Sequence, residues 1–140
     1  MMRDISTIAR TTLFATLSDQ EVEKVVQEGR WASFQAGDEI VHQGEFGDVM
    51  YFIMKGLVEV SRLLGNQGPR FSRLALGEGE FFGEMALLED KPRSATVSAL
   101  EPTDCLVVSR DQLHRMLRSS PDIAIAMVTV MSRRLRAIGA

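Results

Sequence analysis

The residues best suited to chemistry fall in one stretch, Gly77 to Val97, reading GEGEFFGEMALLEDKPRSATV. Both ends of the stretch read as strand, and Glu84 to Leu88 has the length of about one helical turn. A turn opened by a glycine, here Gly83, presents unpaired backbone amides, and such amides are where an anionic phosphate binds well. Arg93 adds a planar, permanently charged fork that matches phosphate oxygens, and Ser94 and the Ala95 amide add donors beside it. Glu84 is a carboxylate, which a phosphate does not want. It makes sense if the anion is attached to a sugar whose hydroxyl needs an acceptor. The chemistry implied is therefore recognition of a small sugar-linked anion. In isolation, Glu84 and Arg93 would equally make an ordinary surface ion pair, which is worth little.

The elements that must position these residues follow from local signals. Ser18-Asp19-Gln20-Glu21 reads as a capping box opening a helix whose face carries Val22, Val25 and Val26, and Gly29 ends it. Leu13, Phe14 and Leu17 supply an apolar segment before it. From Trp31 to Ser109 the pattern changes to short β-type runs punctuated by glycines. Candidate strands are Trp31–Phe34, Glu39–His42, Val49–Met54, Leu57–Leu63, Arg70–Ala75, Ala95–Ala99 and Asp104–Val108. Gly65-Asn66-Gln67-Gly68-Pro69 reads as a hairpin tip. Spacing this regular predicts a sandwich or barrel. Ser109 with Gln112 makes a second capping box, followed by a stripe of Leu113, Met116 and Leu117. Ser120 and Pro121 then open a last helix, in which Ile123, Met127, Val130, Met131, Leu135 and Ile138 recur at helical spacing.

On these residues the chain resembles the cyclic nucleotide-binding domains of bacterial transcription activators, cyclic-nucleotide-gated channels and protein kinase regulatory subunits. Their phosphate-binding cassette reads approximately Phe-Gly-Glu-X-Ala-Leu, a variable stretch, then Arg-Ser/Thr/Ala-Ala. Here it stands as Phe82-Gly83-Glu84-Met85-Ala86-Leu87 with Arg93-Ser94-Ala95-Thr96-Val97. The resemblance covers almost the whole chain and implies a mainly β fold with flanking helices. That fold is a double-stranded β-helix, or jelly-roll-like β-roll, with a helical segment over residues 1–30, the roll over 31–109 with its cassette at 82–97, and helices over 110–140.

The resemblance also implies a ligand, a cyclic nucleotide. Glu84 would accept from the ribose 2′-hydroxyl, and Arg93 would pair with the cyclic phosphate. Gly83, Met85, Ala86, Ser94 and Ala95 would complete the cassette. Relatives tend to place threonine at the Ser94 position when they favour cGMP, so serine points to cAMP. Arg134 falls where relatives carry a lid residue on the last helix, and a guanidinium there can stack on a purine. Met131 and Leu135 are its apolar competitors.

The bulk properties fit a binding module. A chain of 140 residues suits one domain, and 45% hydrophobic with 25% charged residues is the ordinary globular mix. A formal net charge of −3 lacks the positive field that phosphate-backbone binding needs, which argues against nucleic acid as a partner of this domain. Six arginines against two aspartates from Arg110 onward read as a solvated helix face. The single cysteine, Cys105, cannot form an internal disulfide, so a reducing cytoplasm is the expected compartment. The longest uncharged apolar stretch, Ile123 to Met131, is too short to span a bilayer. His42 and His114 with one cysteine cannot build the usual zinc or iron–sulfur site, and no serine–histidine–acid triple stands at recognisable spacing. The expectation is a non-enzymatic sensory domain, either free-standing or the sensory part of a DNA-binding regulator or a channel. A homodimer is compatible with the sequence, and the effector is not named by it.

Overall fold

The computed structural model describes residues 18–63 and 70–137. The expected apolar segment at Leu13, Phe14 and Leu17, the hairpin tip at 65–69 and the stripe residue Ile138 lie outside the described residues.

The chain opens with α1 (Asp19–Glu28), continues through strands β1 (Arg30–Phe34), β2 (Glu39–Val41), β3 (Val49–Lys55), β4 (Leu57–Leu63), β5 (Arg70–Gly77) and β6 (Phe81–Phe82), and reaches a short helix, α2 (Glu84–Glu89). Two more strands, β7 (Thr96–Ala99) and β8 (Thr103–Ser109), lead into α3 (Arg110–Ser119) and α4 (Pro121–Ala137). The strands form two four-stranded antiparallel sheets in the orders β1-β8-β3-β6 and β2-β7-β4-β5, which is the jelly-roll arrangement. All seven expected strands are present within one or two residues of their expected ends. The two-residue β6, which pairs Phe81 and Phe82 with Phe52 and Tyr51, was not among them.

Both capping boxes form. The Ser18 hydroxyl accepts from the Glu21 amide, and Glu21 reaches back to the Ser18 amide; Ser109 and Gln112 do the same at α3. The Gln112 side-chain amide also donates to the Glu28 carbonyl, tying the end of α1 to the start of α3.

Strand β3 explains how two cores coexist. Its alternate residues Met50, Phe52 and Met54 join Val22, Val25, Leu113, Met116, Ile123 and Met127 in a cluster between the first sheet and the helices. Ile53 and Tyr51 point the other way, into a second cluster between the sheets with Val41, Val58, Leu76, Phe82, Val97 and Cys105. This is the period-2 alternation of a strand covered on both faces. Among the described residues, no helix is long and apolar enough to cross a membrane, and no group of histidine, cysteine, aspartate and glutamate stands ready to hold a metal ion.

Cys105 is fully buried in the inter-sheet cluster, and that burial pushes its thiol up to about 12. The thiolate is the reactive form, so the folded chain should not react with Ellman's reagent at neutral pH, and one thiol equivalent should appear only on unfolding. Labelling at native conditions on a minutes timescale would show that this core opens readily.

Candidate functional site

The cassette runs from the end of β6 through α2 to the start of β7. Strand β6 ends at Phe82, and Gly83 then takes the left-handed conformation, φ 89°, as the N-cap of α2. That φ suits glycine, since the same conformation costs about 1–2 kcal/mol for a residue carrying a Cβ. Asp90 closes α2, also left-handed with φ 55°, so the six-residue helix is bounded by two sharp reversals. The chain then returns through Pro92 and Arg93 to β7.

Arg93 is 7% exposed. Its guanidinium donates from Nη1 to the Gly83 carbonyl at 2.8 Å and from Nη2 to the Val49 carbonyl at 2.8 Å. Its backbone is fixed as well: the Arg93 amide donates to the Glu45 carbonyl at 2.7 Å and its carbonyl accepts from the Gly44 amide at 2.8 Å. Burial lowers its pKa, opposed by the charges of Tyr51, Asp48 and Glu84, but a guanidinium remains charged. Two of its five N–H groups are used by these carbonyls, which leaves donors for an anion.

Glu84 is 4% exposed, and burial raises its carboxyl above the usual range against the pull of Arg134, of a backbone amide and of Arg93. Its partner is Arg134 of α4, whose Nη1 lies 3.4 Å from Glu84 Oε1. The Arg134 guanidinium also donates from Nη2 to the Phe81 carbonyl and lies over the Phe81 ring, 4.5 Å from its centroid. The alternative of a surface ion pair between Glu84 and Arg93 is thereby removed, since both are buried and each has other partners. Nor is the C-terminal arginine set simply a solvated face. Arg134 is largely buried and Arg110 pairs with Asp90 at 2.9 Å, while Arg133 and Arg136 are exposed as expected.

A cavity of about 330 Å³ brings these groups together. All eight residues singled out from the sequence line it: Gly83, Glu84, Met85, Ala86, Arg93, Ser94, Ala95 and Arg134. Met131 and Leu135 line it too. Leu135, however, is 54% exposed and does not continue the buried stripe of Ile123 and Met127. Helical phase explains this, because seven residues beyond Met127 is position 134, so Arg134 takes the inward place. The sequence reading missed the apolar wall of Val41, Val60, Leu74, Leu76 and Val97, and Arg62 near it. Four of the five wall residues fall within expected strands and Leu76 one residue beyond one, but only the sheet pairing shows which of them enclose a cavity. A cavity that joins an apolar wall to three arginines, Arg62, Arg93 and Arg134, and one carboxylate, Glu84, suits a ligand that carries both a flat ring and an anionic sugar.

Fold and cavity together define a jelly roll whose cavity joins buried charged groups to an apolar wall. Comparison with known proteins makes the class specific. The family model described as "Cyclic nucleotide-binding domain" matches residues 31–120, and the chain belongs to that family. It is 41% identical over 110 residues to a cGMP-dependent protein kinase of Eimeria tenella, covering 79% of this chain and 10% of that one. It is 34% identical to the cyclic AMP receptor protein of Thermus thermophilus, covering 89% of this chain and 57% of the receptor. Among solved structures, the catabolite activator protein of Thermus thermophilus superposes with a TM-score of 0.82 at 32% identity over 90% of this chain and 59% of that one. The regulatory domain of Toxoplasma gondii PKA with cAMP superposes with a TM-score of 0.81 at 25% identity, over 91% of this chain and 48% of that one. The chain thus spans between a tenth and little more than half of these curated relatives.

Replacing Gly83 by alanine should lower the unfolding free energy by at least about 1–2 kcal/mol, since a Cβ at positive φ is strained. The added Cβ would also stand 2.7 Å from Arg93 Nη1. Urea unfolding of the variant checks this, and an unchanged midpoint would mean that the turn relaxes without cost.

Proposed function

We propose that this chain is a sensor for a cyclic nucleoside monophosphate, cAMP in preference to cGMP, which it binds without turning over. The observation that carries the reading is the convergence of a buried guanidinium and a buried carboxylate on one cavity with an apolar wall. In this reading the cyclic phosphate lies against Arg93, Ser94, the Ala95 amide and the amides at the start of α2, the ribose 2′-hydroxyl donates to Glu84, and the purine rests on the apolar wall. Met85 and Ala86 close the cassette side. The preference for cAMP is supported by serine at position 94 and by the solved relative with cAMP, while the kinase relative is named for cGMP.

Arg134 gives the reading its output. It shares Glu84 with the proposed ribose contact, lines the cavity, and has one face on Phe81, which leaves the other for a purine. A nucleotide that binds more tightly to one placement of α4 shifts the population toward that placement. The outward face of α4 leaves Ile125 and Val128 exposed, which supports pairing of two copies through this helix. The relatives' lengths support a role as the sensory part of a longer cytoplasmic regulator or channel, with the effector fused or separate.

Calorimetric titration with cAMP, cGMP and cyclic dinucleotides tests the reading, with cAMP expected to bind best. Arg93→Ala removes the charged partner of a largely buried phosphate, a loss of about 2–5 kcal/mol, or roughly thirtyfold to several thousandfold in affinity. Unchanged affinity would remove Arg93 from the site. Amide chemical shifts along α4 should move on adding cAMP, more than those of α1, and identical spectra for residues 121–137 would disprove the coupling.

A further inference from the structure

The bend between β2 and β3, residues 42–48, lies outside the cassette yet wraps around Arg93. Gly44 and Glu45 hold the Arg93 backbone from both sides, and Val49, at the start of β3, accepts from its guanidinium. Between them stands Gly47. Gly47 is not among the glycines at positive φ, so its backbone conformation is open to any residue. What requires a glycine there is space: an added Cβ would lie 2.2 Å from Arg93 Nη2, and 2.4 Å from both Cζ and Nε. These separations are far inside van der Waals contact.

We infer that Gly47 is a positioning residue for nucleotide binding, its missing side chain forming the berth in which the Arg93 guanidinium is held toward the phosphate. The inference rests on the proposed reading of the cavity. The three atoms nearest to a Cβ at 47 all belong to the far end of a long side chain, so the fold has an inexpensive escape in which the guanidinium swings out. That movement breaks the two bonds to the Gly83 and Val49 carbonyls, and the cation loses its direction. Gly47 would thus act on the ligand without touching it, through an arginine far along the chain.

The test is a double-mutant cycle on the full chain with Gly47→Ala and Arg93→Ala, read both by cAMP affinity and by thermal melting. Gly47→Ala alone should keep a cooperative melt and lose cAMP affinity at least tenfold. In the Arg93→Ala background the same substitution should change affinity less than twofold, because the group it displaces is gone. Wild-type affinity in Gly47→Ala, or an equal loss in both backgrounds, would overturn the inference. If Gly47→Ala alone melts without cooperativity, the double variant should regain a cooperative melt because the space has reopened, and failure to regain it would also overturn the inference. The melting arm involves no nucleotide. A wild-type chain that ignores cAMP while the melting cycle shows coupling therefore refutes the ligand and leaves the berth standing.

Discussion

The arrangement depends on a cation that the fold holds away from water. A guanidinium as buried as that of Arg93 is costly unless its hydrogens are met. Among the described residues they are met by two main-chain carbonyls rather than by a carboxylate. Carbonyl oxygens satisfy donors without cancelling the charge, so under the proposed function the positive field stays available to the phosphate. Asp48 and Glu84 favour the charged form from a distance. Those two carbonyls come from the start of β3 and the turn before α2, elements placed by the sheet pairings β3·β8 and β3·β6. The Arg93 guanidinium is therefore held by the same pairings that hold the sheet, and under the proposed function that is the condition for binding energy not to be lost in ordering the site.

At the other side of the cavity, Glu84 belongs to the cassette by its position in α2 and to the last helix by its contact with Arg134. Burial penalises its ionised form, and Arg134 is the leading influence opposing that penalty. Whatever approaches Glu84 thus changes the electrostatic setting of α4. Because α4 packs through Ile123, Ala126 and Met127 on the same cluster as α1 and α3, a change at one carboxylate bears on the whole helical side of the molecule.

Local features were legible in the sequence, and long-range ones were not. The two capping boxes need only four residues each, and both formed as read. The seven longer strands announced themselves by alternation and flanking glycines, and the cassette residues by their order along the chain. Strand β6 escaped because two residues carry no periodicity, and it exists only because Tyr51 and Phe52 lie opposite. Val41, Val60, Leu74, Leu76 and Val97 carried no signal of their own beyond being apolar in or beside expected strands, and their place in the cavity wall follows from which strands become neighbours. Leu135 was misplaced by one position of helical phase. Gly47 passed as one of the glycines that punctuate the strands, since the arginine beside it arrives only after four further strands and α2.

The brevity of β6 has a consequence for solubility. It lies at the margin of its sheet, where a longer strand would offer a row of free amides and carbonyls to any passing chain. Two residues followed at once by a left-handed glycine and a helix leave almost nothing to template upon. The segment that shapes the cavity thereby leaves this one edge of its sheet little room for edge-to-edge pairing.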